Sequence, residues 1–379
     1  MKSINQRDRT GYQRWLKAQR RKEKVYRPLV DKHYFNHQGK LTEVIYIPKV
    51  LDIYDNKYAE ESLDLFHKLE KHFISDYQVL ILDFQSTYTI KAPLMVMLFA
   101  ILEKLITESQ KRIKIRYGKK THSRSITESL KKSGIVNLCK EAKINNIFTK
   151  LYLPIVSSTG GKLREEIVDF IVQKIYKSMP PILEHTYADA IQEAINNVSA
   201  HAYVMAAPDT PRKWWLLCEL FGDQLYLAIY DTGIGIPQSL EVNPDFSQLN
   251  CDDEKTRQEL KNVYDAHITW IADEYPTFDD FIRTVRNKQN NAQNLPDEWK
   301  IYMAMYGNMT RKTGKDELKH GQGSKSIKAL VSCNEQGFLW IFSGFGRMKF
   351  TDDKHPPDLS ALPKKLSGTL IQWNIKVTP

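Results

Sequence analysis

The stretch "ADAIQEAINNVSAH" (Ala188–His201) sets the tightest limit on what this chain can become. At about 100° per residue, Ala188, Ile191, Ile195 and Val198 fall on one apolar stripe, while Glu193, Asn197 and His201, spaced by four, line up on a separate face. The stripe requires a core beneath the helix. The polar row keeps a carboxylate, an amide and an imidazole away from that core, as suits a helix that both packs and meets a ligand.

A chain of 379 residues has room for at least two domains, each with its own core. Hydrophobic residues at 42% and charged residues at 26% suit a globular protein and argue against wholesale disorder. The longest apolar run, Ala92–Ile106, is interrupted by Glu103 and Lys104 and falls short of the roughly 18 residues a spanning helix needs, so no membrane segment is expected. The N-terminal "MKSINQRDRTGYQRWLKAQRRKEKVYRP" is basic and lacks the apolar centre of a secretory signal, so a cytoplasmic location is expected. Cys139, Cys218, Cys251 and Cys333 show no paired spacing, which argues against a disulfide framework or a zinc ribbon and leaves them as packing residues.

Formal net charge is +10, and Arg14, Lys17, Arg20, Arg21, Lys22 and Lys24 concentrate it beside Tyr12 and Trp15. Such an arm can meet nucleic acid, an acidic partner or an anionic surface, although a solvated face is the commoner explanation.

Residues 1–40 read as this basic extension. In residues 41–150, "EVIYIP" (Glu43–Pro48), "YQVLILDF" (Tyr77–Phe84) and "KRIKIRYG" (Lys111–Gly118) read as strands. They alternate with helical patterns at Ala59–His72, Pro93–Ser109 and Ser125–Ser133, which is an α/β layout. The polar "SSTGGKLREE" (Ser157–Glu166) is the best boundary in the sequence. Beyond it, helices at Glu165–Lys177 and about Glu184–Tyr203 precede "KWWLLCEL" and "QLYLAIYD", a predicted hairpin turning at Gly222-Asp223. "FLWIFSG", "GRMKF" and "GTLIQWNI" read as later strands, so helices on one face of a mostly antiparallel sheet are expected over 160–379. Residues 237–319 are polar with short helical pieces, the size of a lid or inserted subdomain.

Three more passages carry chemistry. "YDTGIGIP" places Asp231 at the end of an apolar strand with Gly233 and Gly235 beyond, where a ligand ring can approach bare backbone. "HGQGSKSIKAL" places Gly321 and Gly323 before a helix starting near Ser324, where backbone N–H groups face outward. "LSGTL" supplies Gly368 and Thr369 at the start of a last strand.

In this order the passages resemble the boxes of the GHKL superfamily of ATP-binding domains, which includes gyrase-type topoisomerases, mismatch-repair and chaperone ATPases, histidine kinases and anti-sigma-factor serine kinases. Glu193 and Asn197 match its N box, Asp231, Gly233 and Gly235 its aspartate-glycine box, Gly321 and Gly323 its second glycine box, and Gly368 and Thr369 its closing pair. The resemblance spans roughly residues 165–377 and implies an α+β sandwich with a lid. It implies that Asp231 accepts the adenine amino proton with Thr369 beside it, and that Asn197 offers an oxygen to Mg²⁺. Glu193 would orient or deprotonate the attacking water. Gly321, Gly323, Ser324 and Lys325 would neutralise the triphosphate of ATP, and His201 would reach a phosphate or the lid. His201 and Lys325 also fit plain local or surface roles.

The segment from Leu41 to Lys150 resembles a STAS-like domain, the anti-sigma-antagonist fold, through "LILDFQSTYTIKAPLMVMLFAILEKL" with Asp83 at the strand end. Where that family often carries a phosphorylated serine, this chain has Ala92 and Pro93, which favours docking over a phospho-switch.

Three functions follow. An ATP-hydrolysing switch in a regulatory or defence complex, with a protein partner or a second copy, is preferred because Glu193 suits water activation. A serine/threonine protein kinase of the anti-sigma-factor type is the alternative. A non-hydrolysing nucleotide sensor, holding nucleic acid by its basic arm, is the third.

Overall fold

In a computed structural model, residues 34–35, 40–118, 121–141, 154–176, 178–242, 253–267, 275–286, 295–306, 323–334 and 336–377 are described. The basic arm, including Arg14 to Lys24, lies outside them. No helix among the described residues is long and apolar enough to cross a membrane.

The chain runs as mixed α/β structure. Strands β1 (Tyr34–Phe35) and β2 (Leu41–Tyr46) are followed by β3 (Val50–Leu51), helix α1 (Asn56–Lys71), β4 (Val79–Asp83) and β5 (Thr89–Ile90). Then come α2 (Ala92–Thr107), β6 (Arg112–Arg116), α3 (Thr121–Lys132) and α4 (Ile135–Glu141). The four-stranded sheet has the order β1-β2-β4-β6, and β2, β4 and β6 run parallel. Helix α1 starts where the Asp55 carboxylate accepts the Lys57 N–H at 2.9 Å, satisfying one of its free amides.

The second part begins with β7 (Val156–Thr159), then α5 (Arg164–Phe170), which continues as π-helix over Ile171–Tyr176. Helix α6 (Pro181–Asn197) continues as π-helix over Val198–Ala202. Strands β8 (Lys213–Phe221) and β9 (Gln224–Asp231) form the expected hairpin, with Gly222 at φ +64° and Phe221 opposite Gln224. Helices α7 (Ile236–Val242), α8 (Glu254–Ala266), α9 (Phe278–Arg286) and α10 (Asp297–Met305) precede α11 (Gly323–Ser332), β10 (Phe338–Phe350) and β11 (Asp358–Lys376). The sheet order is β10-β11-β9-β8-β7, antiparallel throughout.

Several expectations need correction. Ser157–Thr159 are not a linker: they form the edge strand β7 paired to β8, so the second sheet starts inside the passage whose composition suggests a boundary. The two segments "FLWIFSG" and "GRMKF" form one strand, bent by a register shift between Ser343 and Gly346.

The sequence predicts helices on one face of the second sheet, and both faces are covered. Trp214, Leu216, Cys218, Leu225, Leu227 and Ile229 face the core built with α5, α6 and the later helices. Their neighbours Trp215, Leu217, Ala228 and Tyr230 face the other way, into a core shared with α1, α2 and β4. Period-two alternation distributes one apolar run between two cores. Helix α2 is apolar nearly all round because it is sandwiched: it lies between its own sheet and the strands β8 and β9, with Leu94 through Leu105 largely buried.

The 237–319 span is less irregular than expected. Helix α10 packs on β10, burying Trp299, Ile301 and Met303, and Asp297 Oδ2 accepts the Phe345 N–H at 2.8 Å. The Lys300 ammonium, almost wholly buried, reaches Glu241 at 2.6 Å and Asp297 at 3.3 Å. Helices α8 and α9 also lie within this span, while residues 243–252, 268–274, 287–294 and 307–319 of the expected lid lie outside the described residues.

Candidate nucleotide site at the Asp231 loop

The site is built where the end of β9, the start of β8, the middle of β10 and β11 and one helix end converge; Gly368 and Thr369 lie inside the long strand β11, not at the start of a strand as the sequence suggests. Asp231 closes β9, paired with Thr369 of β11 on one side and Trp214 of β8 on the other. The residue is 4% exposed, and its carboxylate accepts the Gly233 N–H at 2.7 Å. Burial pushes its pKa up to about 7, against the backbone hydrogen bonds from Gly233 and Thr369 that lower it. A carboxyl poised near neutrality inside a protein marks a candidate functional position.

Ser343 of β10 ties the loop together. Its hydroxyl donates to the Gly368 carbonyl at 2.8 Å and accepts the Ile236 N–H at 2.9 Å. The single Ser343 proton is then used, so in the 3.2 Å contact between Ser343 Oγ and Thr369 Oγ1 the threonine is the donor. That leaves the Thr369 oxygen as an acceptor on the residue paired with Asp231 across the sheet. Gly368, at φ +83°, lets the strand turn past Asp231: a Cβ there would collide with the Asp231 carbonyl.

The helix carrying Glu193 and Asn197 reaches the same loop. Tyr187, Ala190, Ile191, Ala194, Ile195 and Val198 are buried, Glu193 and Asn197 are half-buried, and His201 is exposed. The terminal π turn Val198–Ala202, a feature that recurs at functional sites, ends on Ala202. The Ala202 carbonyl accepts the Ile234 N–H at 2.8 Å and fills the space a side chain at Gly233 would occupy. The missing side chain at Gly233 therefore admits this helix end, whereas the sequence suggests a ligand there.

Gly235 completes the turn at φ +85° beside Ser343. Helix α11 begins at Gly323 and packs along α6, with Ser324 half-buried and Lys325 exposed. Gly321 lies outside the described residues. The structure thus brings Asp231, Gly233, Gly235, Gly368 and Thr369 into one loop cluster, with the Asn197 helix against it and α11 against that helix.

Sequence reasoning missed Ser343, Tyr203 and Lys104. The Tyr203 hydroxyl donates to the Lys213 carbonyl at 2.9 Å and lies 3.4 Å from the Thr232 hydroxyl, while Lys104 donates to Thr232 at 3.3 Å. A lone serine inside the apolar "FLWIFSG" was the available signal for Ser343. A separate surface recess of about 370 Å³ is lined by Gly161–Glu166 and Gln192, one residue from Glu193, and not by the Asp231 loop.

No protein-family model matches the chain, and no curated protein matches it.

Proposed function

We propose that this chain binds an adenine nucleotide at the Asp231 loop and hydrolyses it with Mg²⁺ to drive a conformational or assembly switch. The observation that carries this reading is the buried Asp231 carboxylate next to Thr369, held by backbone donors and raised to about 7. A carboxylate there suits an exocyclic amino group, which donates to the ionised form and repays part of the cost of burying the charge.

The neighbouring residues fit the rest of such a ligand. Asn197, on the helix that meets the Gly233 turn, would give its amide oxygen to Mg²⁺, a cation that keeps several waters and needs few protein ligands. Among the described residues no group of three or more His, Cys, Asp or Glu is placed to hold a metal, so a site at Asn197 relies on phosphate and water oxygens. When bound, the metal would neutralise phosphate charge. Glu193, one turn before Asn197 and half-buried, would orient or deprotonate the attacking water. The first turn of α11, with Ser324 and Lys325 after Gly323, would present N–H groups and a cation to the phosphates; Gly321 and His201 would complete that end.

The test is calorimetry with ATP and Mg²⁺, followed by phosphate release from the wild type and Glu193→Ala. Uptake with turnover that Glu193→Ala abolishes supports the reading. Label transferred to protein without free phosphate supports kinase action instead, and absence of any uptake overturns the nucleotide site.

A further inference from the structure

The loop is also held from behind, by the first unit. Lys104 lies in the last turn of α2, half-buried, with its ammonium 5.4 Å from the centre of the Phe73 ring and 3.3 Å from Thr232 Oγ1. Thr232 stands between Asp231 and Gly233. An ammonium only donates, so Thr232 accepts from Lys104, and its own proton is available to Tyr203. The Tyr203 proton in turn goes to the Lys213 carbonyl.

Lys213 closes a circuit. Its ammonium pairs at 2.5 Å with Glu103, the residue before Lys104, whose side chain is wholly buried. Glu103 also accepts from the Trp215 indole and, at 3.2 Å, from Ser157 Oγ. Adjacent residues of α2 therefore grip the first residues of β8 with one charge and the Asp231 loop with the other. Among the described residues, the bond from Lys104 to Thr232 joins the first unit to the loop itself.

We propose that Lys104 is a positioning residue for the Asp231 loop, through which the first unit sets how tightly the loop holds its nucleotide. The inference rests on the nucleotide reading for its ligand, but not for its geometry. Displacing α2, by a partner bound to the first unit or by rotation of that unit, withdraws the donor from Thr232 and frees the turn that orients Asp231. Coupling of this kind acts in both directions, so nucleotide would also bias the position of α2.

The experiment compares the full wild-type chain with Lys104→Met, Lys104→Arg and Tyr54→Phe. The last removes a different bond across the same interface, that from the Tyr54 hydroxyl to Gln372 Oε1 at 2.7 Å. Two quantities are read: amide exchange of residues 231–236 in nucleotide-free protein, and calorimetric affinity for ATP with Mg²⁺.

Lys104→Met is expected to speed exchange in the loop and weaken ATP about tenfold, the effect of losing one charge-assisted hydrogen bond. Lys104→Arg restores both, and Tyr54→Phe changes neither. Unchanged loop exchange in Lys104→Met overturns the inference, as does equal loosening by Tyr54→Phe, which would mean general weakening of the interface. If the wild type takes up no nucleotide, the functional reading falls while loop exchange still decides the role of Lys104.

Discussion

Gly233 sits directly against the carbonyl of Ala202: a Cβ on Gly233 would overlap that oxygen, which also accepts the Ile234 N–H at 2.8 Å. Two sequence motifs some thirty residues apart are joined there through backbone. Gly233→Ala is expected to push the π turn off the loop and destabilise the fold by about 1–3 kcal/mol, as overpacking does. Chemical denaturation measures the loss; wild-type stability in the variant would show that the two elements part without cost.

Under the proposed function, Asp231 is expected to link stability and binding with opposite signs. Its pKa, about 7 against an ordinary 3.8, means the folded state holds a proton that the unfolded chain releases. Its contribution to stability is complete below about pH 4 and is lost as pH rises through 7. Asp231→Asn is therefore expected to raise the melting temperature at about pH 8 relative to wild type, while removing the acceptor for an amino group. Glu298, also raised to about 7 chiefly by burial, adds a pH dependence of the same sign that persists in the variant. Melting scans between about pH 5 and 8 check this, and lower stability of Asp231→Asn at every pH would contradict it.

Nucleotide affinity should have the reverse pH dependence. An amino group donates best to the ionised carboxylate, so wild-type affinity for ATP is expected to fall as pH drops from about 8 to 6. Titration calorimetry at several pH values reads this directly, and a profile identical in wild type and Asp231→Asn would assign the dependence to another group.

Ser343→Ala removes a donor to Gly368 and an acceptor for Ile236 at a residue with no exposed surface. A half-buried N–H and a buried carbonyl then lose this partner, at about 1–3 kcal/mol. The melting temperature and nucleotide affinity should fall together, because Ser343 fixes both the Asp231 loop and Thr369.

Glu103→Ala removes the carboxylate that accepts from the Lys213 ammonium, the Trp215 indole and the Ser157 hydroxyl. Breaking a buried pair costs about 3–5 kcal/mol, and the lower end applies because the Lys213 side chain is 27% exposed. Denaturant midpoints of the two units should shift together, since this carboxylate lies between them. A loss confined to one unit would show that they unfold independently.

How much was legible in the sequence depended on how local the signal was. The hairpin at Gly222 and the alternation of strands and helices in the first unit rest on neighbours in sequence, and the strands and helices expected there formed close to their limits. The second sheet's outer face was misread although "KWWLLCEL" shows it: six consecutive buried or half-buried positions with no polar alternation suit a strand covered on both sides. The apolar run of α2 carried the same message, since a helix apolar all round needs two partners. Strand β7 was hidden because Ser157 to Thr159 are polar, and their pairing is set by β8 more than fifty residues away. Lys104, Tyr203 and Ser343 depend on tertiary contacts between distant segments, so no spacing rule reveals them.

Recognition of an adenine base by Asp231, as proposed, is decided by titration calorimetry of the full chain with ATP and Mg²⁺ at about pH 8, wild type beside Asp231→Asn. Saturable uptake by the wild type and at least about a tenfold loss in the variant, the worth of one charge-assisted hydrogen bond, are expected. No uptake by the wild type, or equal uptake by both, would contradict it.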